Sequence, residues 1–497
     1  MAAAGRPQLI GLDIGTSASK AGLVDTAGEI LALATIACEV TRPHAGWAEQ
    51  DTRGYWDAAV RCIRELLASP RAEPRRIAGL ASCGHAPTMV LLDDRQEPLR
   101  PAILWQDTRA VAEAEELATN PGTDVLAGWL GVRWPVDASM PAARFRWLGK
   151  HEPASLAHTR LVLLPKDYVH LRLTGAAATD VWSAKGLVHQ HTREPIGPLL
   201  EIAGVGTQIV PPALVPSEIM GHVSAAASEE TGLPVGTPVI AGWTDAMAAM
   251  LGSGALGRSG LGCDVSGTSE VIGLTHGSRP LDTGPLMAAA ILDSGRWMVY
   301  GPTQASGGSL SWALRALGEL NPEQALAEAA HAEPGADGLL FLPYLQGERA
   351  PLWDPRARGA FIGLTTAHER RHLLRAVLEG VACSVRHVLS AAEAFTGATA
   401  EEVRVAGGGA RVGLWNQIKA DVTGRTFRPC TTTENGVLGA AMLAAIGAGL
   451  FDGAAAAGKS MVSLEAPVEP DPHRHALYET TFERYIGAYP RLRDLFI

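Results

Sequence analysis

GLDIGTSASK, residues 11–20, places Asp13 two positions ahead of a Gly-Thr-Ser run and Lys20 three positions beyond it. Nearly the same shape returns at residues 259–273 as SGLGCDVSGTSEVIG. Around the first copy, Leu9–Leu12, AGLVD at 21–25 and EILALATI after the DTAG turn read as three short strands. Gly15-Thr16-Ser17 therefore lies at the tip of a hairpin rather than ahead of a helix. Such a tip can aim backbone N–H groups at an anion, with Thr and Ser adding hydroxyl donors. Lys20 offers a point charge to a phosphate. Asp13 repels a phosphate on its own and suits a magnesium ion or a bound water. Ordinary turn chemistry, with Asp13 as a local cap, explains the same residues taken singly. Two copies ask for one explanation, and a duplicated hairpin in each half of the chain supplies it.

Downstream of Asp51, Trp56, Val60, Ile63 and Leu67 recur at helical spacing behind an Asp-Thr cap. RIAGLASC at 76–83 and MVLLD at 89–93 restore strand character, so the class is mixed α/β. A Pro- and Gly-rich zone at 195–221 interrupts this pattern, and PVIAGW at 238–243 reads as a new strand. Leu374, Val377, Val381, Val385 and Val388 keep one face of a long helix over 372–395. The expected division is an N-terminal domain over 1–240 and a C-terminal domain over 241–497.

A chain of 497 residues exceeds one ordinary core. Its net charge of −10 and lack of any dense Lys/Arg run argue against nucleic acid or an anionic membrane as partner. A bound nucleotide would need local positive charge or a metal ion. The six cysteines are scattered without a C-x-x-C pair, which favours a reducing cytoplasm and neither a zinc site nor a disulfide framework. The first residues, MAAAGRPQ, lack the basic and apolar regions of a secretion signal. The longest apolar stretch, at 437–451, is too short and too glycine-broken to span a bilayer.

GAAAAGKS at 453–460 fits a P-loop pattern letter by letter. That pattern needs a buried strand before it and a helix after it. Here the flanks read as helix and proline-broken chain, and the alanines as a helix start, so it is rejected as a phosphate site. RVAGGGARVGLWNQIKADVTG at 404–424 reads instead as a strand, three glycines and a helix. Those glycines suit close backbone approach to a flat ligand, with a helix N-terminus nearby. His189 and His191 form a lone H-x-H with no third ligand in view.

Taken together, these stretches resemble the FGGY carbohydrate kinases, end to end. GAFIGLTTAHERRHLLRAVLEG at 359–380 is similar to the family's second signature, with Gly359, Phe361, Gly363, His372, Leu373, Ala376 and Glu379 at the expected spacing. SMPAARFRWLGKHEP at 139–153 is an altered first signature in which Arg144 takes the usual Lys position. RPHAGWAEQD at 42–51, RPAILWQDTR at 100–109, LLPKDYVHLRLTG at 163–175 and FLPYLQGERAP at 341–351 resemble the xylulokinase branch. SCGHAPTMVLLD lacks the Arg-Glu pair of the glycerol branch; against the xylulokinase Q-M-H-G-A-T, His85 matches while Gly84 and Ala86 depart.

The resemblance implies a two-domain ATPase fold of the actin/Hsp70, ribonuclease H-like type with an interdomain cleft. It implies an ATP- and magnesium-dependent kinase for a small sugar, D-xylulose foremost, phosphorylated on its terminal hydroxyl. Asp245 would be the catalytic base, Asp13 would organise magnesium, and Gly15, Thr16, Ser17 and Lys20 would surround the transferred phosphoryl. Gly267 and Thr268 would hold the other side of the phosphate tail, and Gly408, Gly409 and Ala410 would pack on the adenosine. His85, Trp105, Gln106, Asp107 and Trp243 are the implied sugar contacts, although a core role suits Trp105 equally. Trp243-Thr244-Asp245-Ala246 departs from the branch's Gly-Gly-Asp-Asn, which leaves a polyol or another ketose open as substrate. A non-catalytic nucleotide-dependent switch on the same fold is the remaining alternative. Relatives are often dimers, so a homodimer is the implied assembly.

Overall fold

Leu9, Ile10, Leu12 and Ile14 are fully buried, as both faces of a central strand require. They belong to β1 (Gln8–Ile14), which turns back as β2 (Ala18–Asp25) and continues as β3 (Ile30–Ala37), all antiparallel. The computed structural model describes residues 5–280, 284–292, 294–304 and 306–496. After β3, α1 (Thr52–Leu67) is capped by Asp51, whose carboxylate accepts the Arg53 N–H at 3.2 Å. Its Tyr55, Trp56, Ala59, Ile63 and Leu66 pack into the core built around β1 and β2. The crossover delivers β4 (Ile77–Gly84) parallel to β1. Helices α2 (Pro141–His151) and α3 (Pro165–Thr174) follow, then β5 (Ile219–His222), β6 (Pro238–Thr244) and α4 (Asp245–Gly252). The sheet runs β5-β6-β4-β1-β2-β3. The Pro- and Gly-rich zone holds only short pieces, including a six-residue helix at Gly197–Ile202.

A second sheet has β7 (Leu261–Ser266), β8 (Glu270–His276), β9 (Met287–Ala290) and β10 (Trp297–Thr303). Helices α5 (Gly307–Ala316) and α6 (Arg370–Thr396) lead to β11 (Glu402–Gly407), α7 (Gly413–Thr423) and β12 (Thr426–Pro429). Its order is β9-β10-β8-β7-β11-β12. In both sheets a three-strand antiparallel meander is extended by two parallel strands, β3-β2-β1-β4-β6 in one and β10-β8-β7-β11-β12 in the other. The extra strand sits at opposite ends, β5 beside β6 and β9 beside β10. The doubled hairpin of the sequence is therefore one corner of a doubled domain.

The signature at 359–380 divides: residues 363–367 are exposed, and its helical half, 374–380, is buried in this second body. Glu379 accepts from the Arg375 guanidinium at 2.7 Å, the Tyr478 hydroxyl at 2.6 Å and the Gly335 N–H at 2.9 Å. Phe361 stacks with Trp312 and lies tilted against Phe341.

The chain returns to the first body before it ends. The two compact units are 1–252 with 435–462, and 253–434 with 463–497. The boundary expected at residue 240 falls inside β6. The first unit keeps α4 because α4 packs on α8 (Asn435–Gly447). A methyl group at Gly439 would lie 1.8 Å from the Ala248 carbonyl oxygen, so the helices cross at backbone distance. GAAAAGKS begins α9 (Ala454–Met461), a helix preceded by a helix and not by a strand. The last helix, α10 (Pro472–Leu492), belongs to the second unit. No helix among the described residues is long and apolar enough to cross a membrane.

Candidate functional site

Within the first unit, β1, β4 and β6 run parallel and end together, the edge at which open α/β sheets bind ligands. Asp13 sits at the end of β1, in register with Lys20 of β2. Cys83 pairs with Asp13 in register on β4. Asp245 is the first residue of α4 at the end of β6, its Oδ1 accepting the Ala246 N–H at 2.7 Å. Thr244 accepts the Met247 N–H at 3.4 Å, so the base candidate also belongs to a helix start. Burial, followed by the charges of Asp13 and Asp245, pushes the Cys83 thiol well above its ordinary range. The charges of both carboxylates thus reach one thiol. The start of α8 closes on the same place, since a methyl at Gly436 would be 2.8 Å from Asp13 Oδ2.

The hairpin tip is braced from the side. Gln50 donates to the Thr16 carbonyl at 2.7 Å and accepts the Tyr55 hydroxyl at 2.8 Å. Trp105 Nε1 donates to Thr16 Oγ1 at 3.1 Å. The Trp105 N–H donates in turn to Thr88 Oγ1 at 3.2 Å, and Thr88 meets His85 Nδ1 at 2.8 Å. His85 is buried, which pushes its imidazole down to about 3 and keeps it neutral. His85, Trp105 and the Thr16 tip therefore form one network, and Gln106 lies half-buried beside it.

Two implied sugar contacts are placed differently. Asp107 accepts the Ala48 N–H at 2.6 Å and the Arg109 N–H, Nε and Nη2 at 2.8–2.9 Å, so both its oxygens hold the local chain. Trp243 is wholly buried, on a β6 segment whose register against β4 shifts between Ile240 and Trp243. Lys166, also buried, donates to the Ala241 carbonyl in that irregular stretch at 2.9 Å and pairs with Asp167 and Asp180. The indole is packed in the interior with its Nε1 unpartnered among the described residues, and the buried charge cluster holds the backbone two residues before it.

Arg144 was legible only as an altered signature position. Its buried guanidinium donates to four carbonyls: Ala138 (3.2 Å), Pro87 (3.0 Å), Ile103 (3.2 Å) and Leu104 (2.5 Å). These flank Thr88 and Trp105, and burial pushes the group down only to about 10, so it stays charged. A lysine has three donors on one nitrogen and cannot reproduce that fork.

In the second unit the hairpin tip is knitted to the start of α5. Ser306 and Gly308 N–H donate to the Thr268 carbonyl at 3.1 and 2.9 Å, and Gly307 N–H to the Gly267 carbonyl at 3.0 Å. Asp264, the counterpart of Asp13 in the second copy, is turned inward. Lys419 of α7 donates to Asp264 Oδ2 at 2.7 Å, to Ser266 Oγ at 2.8 Å and to Glu270. All four side chains are buried, and burial with the Asp264 charge pushes Glu270 up to about 8. The two copies of the hairpin thus keep the same acid for different work.

Gly407, Gly408 and Gly409 divide their duties. Gly407 has φ +77°, and a methyl on Gly409 would meet the Ser266 side chain at 2.4 Å. Gly408 is exposed, and a methyl there would meet nothing within 4 Å, so only this glycine presents bare backbone outward. Ala410, expected against adenosine, is instead buried in the core with Val403, Val405 and Phe427. His189 accepts the His191 and Thr192 N–H groups, and His191 pairs with the Gly131 carbonyl, so the H-x-H serves its own loop.

Glu348, in FLPYLQGERAP, accepts the Gln304 and Arg349 N–H groups, both at 2.7 Å, and burial pushes it up to about 7. Its folded value lies above the ordinary 4.5, so the folded chain holds a proton that the unfolded chain releases. The stability from this group is whole at low pH and is lost as pH rises from about 4.5 to about 7. Glu348→Gln should therefore shrink the fall in thermal midpoint between about pH 5 and about pH 8. An unchanged fall would place that titration elsewhere.

The donor set at the first hairpin fits magnesium, which takes one or two carboxylates and completes its shell with phosphate and water. Asp13, with Asp245 close to the same thiol, supplies that number. Among the described residues there is no cluster of three or more His, Cys, Asp or Glu side chains that would form an all-protein cage.

A meander extended by two parallel strands, present twice and carrying Gly-Thr-Ser hairpin tips, is the two-domain ATPase fold of the actin/Hsp70 type. The chain belongs to the FGGY family of carbohydrate kinases: the model of the family's N-terminal domain matches residues 8–252, and that of its C-terminal domain residues 264–448. It is a sugar kinase. The xylulose kinase of Escherichia coli (strain K12) is 33% identical over 98% of this chain and 99% of its own. The L-xylulose/3-keto-L-gulonate kinase of the same strain is 30% identical over 96% of this chain and 95% of its own. The crystal structure of xylulose kinase from Rhodospirillum rubrum superposes with a TM-score of 0.89 at 32% identity, covering 98% of this chain and 99% of that one.

Proposed function

We propose that the enzyme transfers the γ-phosphoryl group of ATP to the terminal hydroxyl of a ketopentose, D-xylulose before others. The observation that carries this reading is the pairing of Asp13 and Asp245 about Cys83 at the ends of β1, β4 and β6. Asp245 accepts the proton of the attacking hydroxyl as its oxygen closes on phosphorus. Asp13 holds magnesium, which when bound neutralises charge on the nucleotide phosphates. Thr16, Ser17 and Lys20 steady the transferred group at the first hairpin, and Gly267 and Thr268 belong to the phosphate tail. Gly408 gives adenosine an open backbone face. His85 and Trp105 orient the sugar, and similarity to relatives named xylulose kinase supports a ketopentose as that sugar.

The Trp243-Thr244-Asp245-Ala246 sequence favours a second reading, a different ketose or a polyol. A buried indole where the branch carries small residues changes the wall behind the base. Coupled ADP release, compared as kcat/KM over D-xylulose, L-xylulose, 3-keto-L-gulonate, xylitol and glycerol, separates the two. D-xylulose should lead the panel. If another acceptor exceeds it by more than about tenfold, roughly 1.4 kcal/mol of discrimination, the second reading replaces the first.

A further inference from the structure

We propose that Thr88 is a positioning residue that fixes His85 as the Nε2–H tautomer, so that His85 meets the acceptor sugar as a hydrogen-bond donor. The inference rests on the sugar-kinase reading only for the identity of the ligand. The tautomer follows from hydrogen-bond accounting within the first unit.

Thr88 is 1% exposed and His85 2% exposed, so each polar atom needs a protein or ligand partner. A threonine hydroxyl has one hydrogen to give and two lone pairs to receive with. One lone pair takes the Trp105 N–H at 3.2 Å. The remaining contact is His85 Nδ1 at 2.8 Å. If Nδ1 carried the imidazole proton, Thr88 would accept twice and its own hydrogen would be buried with no acceptor. If Thr88 donates to Nδ1 instead, the hydroxyl is satisfied in full and the imidazole proton is forced onto Nε2. Burial excludes the doubly protonated ring.

His85 Nε2 is buried and has no hydrogen-bond partner within the protein. It is therefore an N–H group with one unmet requirement, and an oxygen of the bound sugar meets it. A keto oxygen can only accept, so this donor suits a ketose carbonyl at that point. The same hydroxyl ties the histidine to Trp105, and Trp105 Nε1 is tied to Thr16 at the hairpin tip. Thr88 thus holds the histidine and the Trp105 backbone with a single oxygen, while the contact with the hairpin tip belongs to the indole.

The test uses the full chain, with His85 assigned by His85→Gln, and nitrogen-15 NMR of labelled histidine. Free enzyme should show the Nε2–H tautomer at His85, and Thr88→Val should release it to a mixture. In steady state Thr88→Val should raise KM for D-xylulose by about tenfold, with kcat within about twofold and KM for ATP unchanged. Thr88→Ser should restore both readouts, because it keeps the hydroxyl and removes only the methyl group. An Nδ1–H tautomer in the free enzyme would overturn the proposal, as would a Thr88→Val enzyme with unaltered KM for the sugar. Should the wild-type enzyme phosphorylate no acceptor in the panel, the substrate reading fails alone, and the NMR result still decides the tautomer.

Discussion

Asp245→Asn is expected to lower kcat by roughly 10²–10⁴-fold, the range lost when a positioned general base is removed. The amide is nearly isosteric and retains an oxygen for the Ala246 N–H, so the start of α4 survives. It cannot take the proton of the attacking hydroxyl. Nucleotide affinity, measured by calorimetry with a non-hydrolysable ATP analogue, should change little. Parallel loss of affinity would mean that Asp245 acts through the metal and phosphates rather than on the sugar. Full retention of kcat would remove it from the chemistry altogether. Asp13→Asn supplies the contrast: its main effect should fall on the magnesium concentration required for half-maximal rate.

Lys419→Met is expected to destabilise the second unit by about 3–5 kcal/mol, the usual result of breaking a buried ion pair from one side. Lys419 is the only cation bonded to the Asp264 and Glu270 carboxylates among the described residues, and none of the three is exposed beyond 1% at its side chain. Methionine fills most of the volume but leaves two acids facing each other in a medium that solvates neither. Denaturant unfolding followed by the second unit's tryptophans would read the loss. Adding Asp264→Asn and Glu270→Gln to Lys419→Met should recover much of it, because no unpaired charge then remains. If Lys419→Met alone is as stable as the parent, the ion-pair cluster does not hold the second hairpin.

These two variants mark where the sequence was transparent and where it was opaque. The hairpins were legible as a pair: turn chemistry accounts for either Gly-Thr-Ser tip alone, and only the repeat asks for a shared explanation. Asp245 was legible through a family pattern and not through local chemistry, since an Asp at a helix start is common. The opposite fates of Asp13 and Asp264 were hidden. Nothing near GCDVSGTS says that a lysine on α7 will reach back to it. The hold on Asp107 was hidden for a similar reason: Ala48 reaches it only after Glu49 and Gln50 pair with Ile103 and Ala102. Ala410 looked like part of a glycine platform, yet its methyl group is the first side chain able to enter the core after three residues without one. The boundary near 240 failed because the partner of α4 is a helix that begins at Asn435.

That last arrangement bears on how the protein is made. A ribosome that has finished residue 252 has produced every strand of the first sheet but not α8, which packs on β1, β4 and α4. The nascent first unit must wait, with that apolar face uncovered, while 182 further residues, 253–434, emerge and build the second unit. At about 5–20 residues per second this interval lasts on the order of ten seconds or more, long enough for a chaperone to engage. No single cut releases a complete first unit, so a nick in the second unit's loops leaves the fragments clasped together. The enzyme's two halves are tied by the order of their synthesis as well as by a like arrangement of strands.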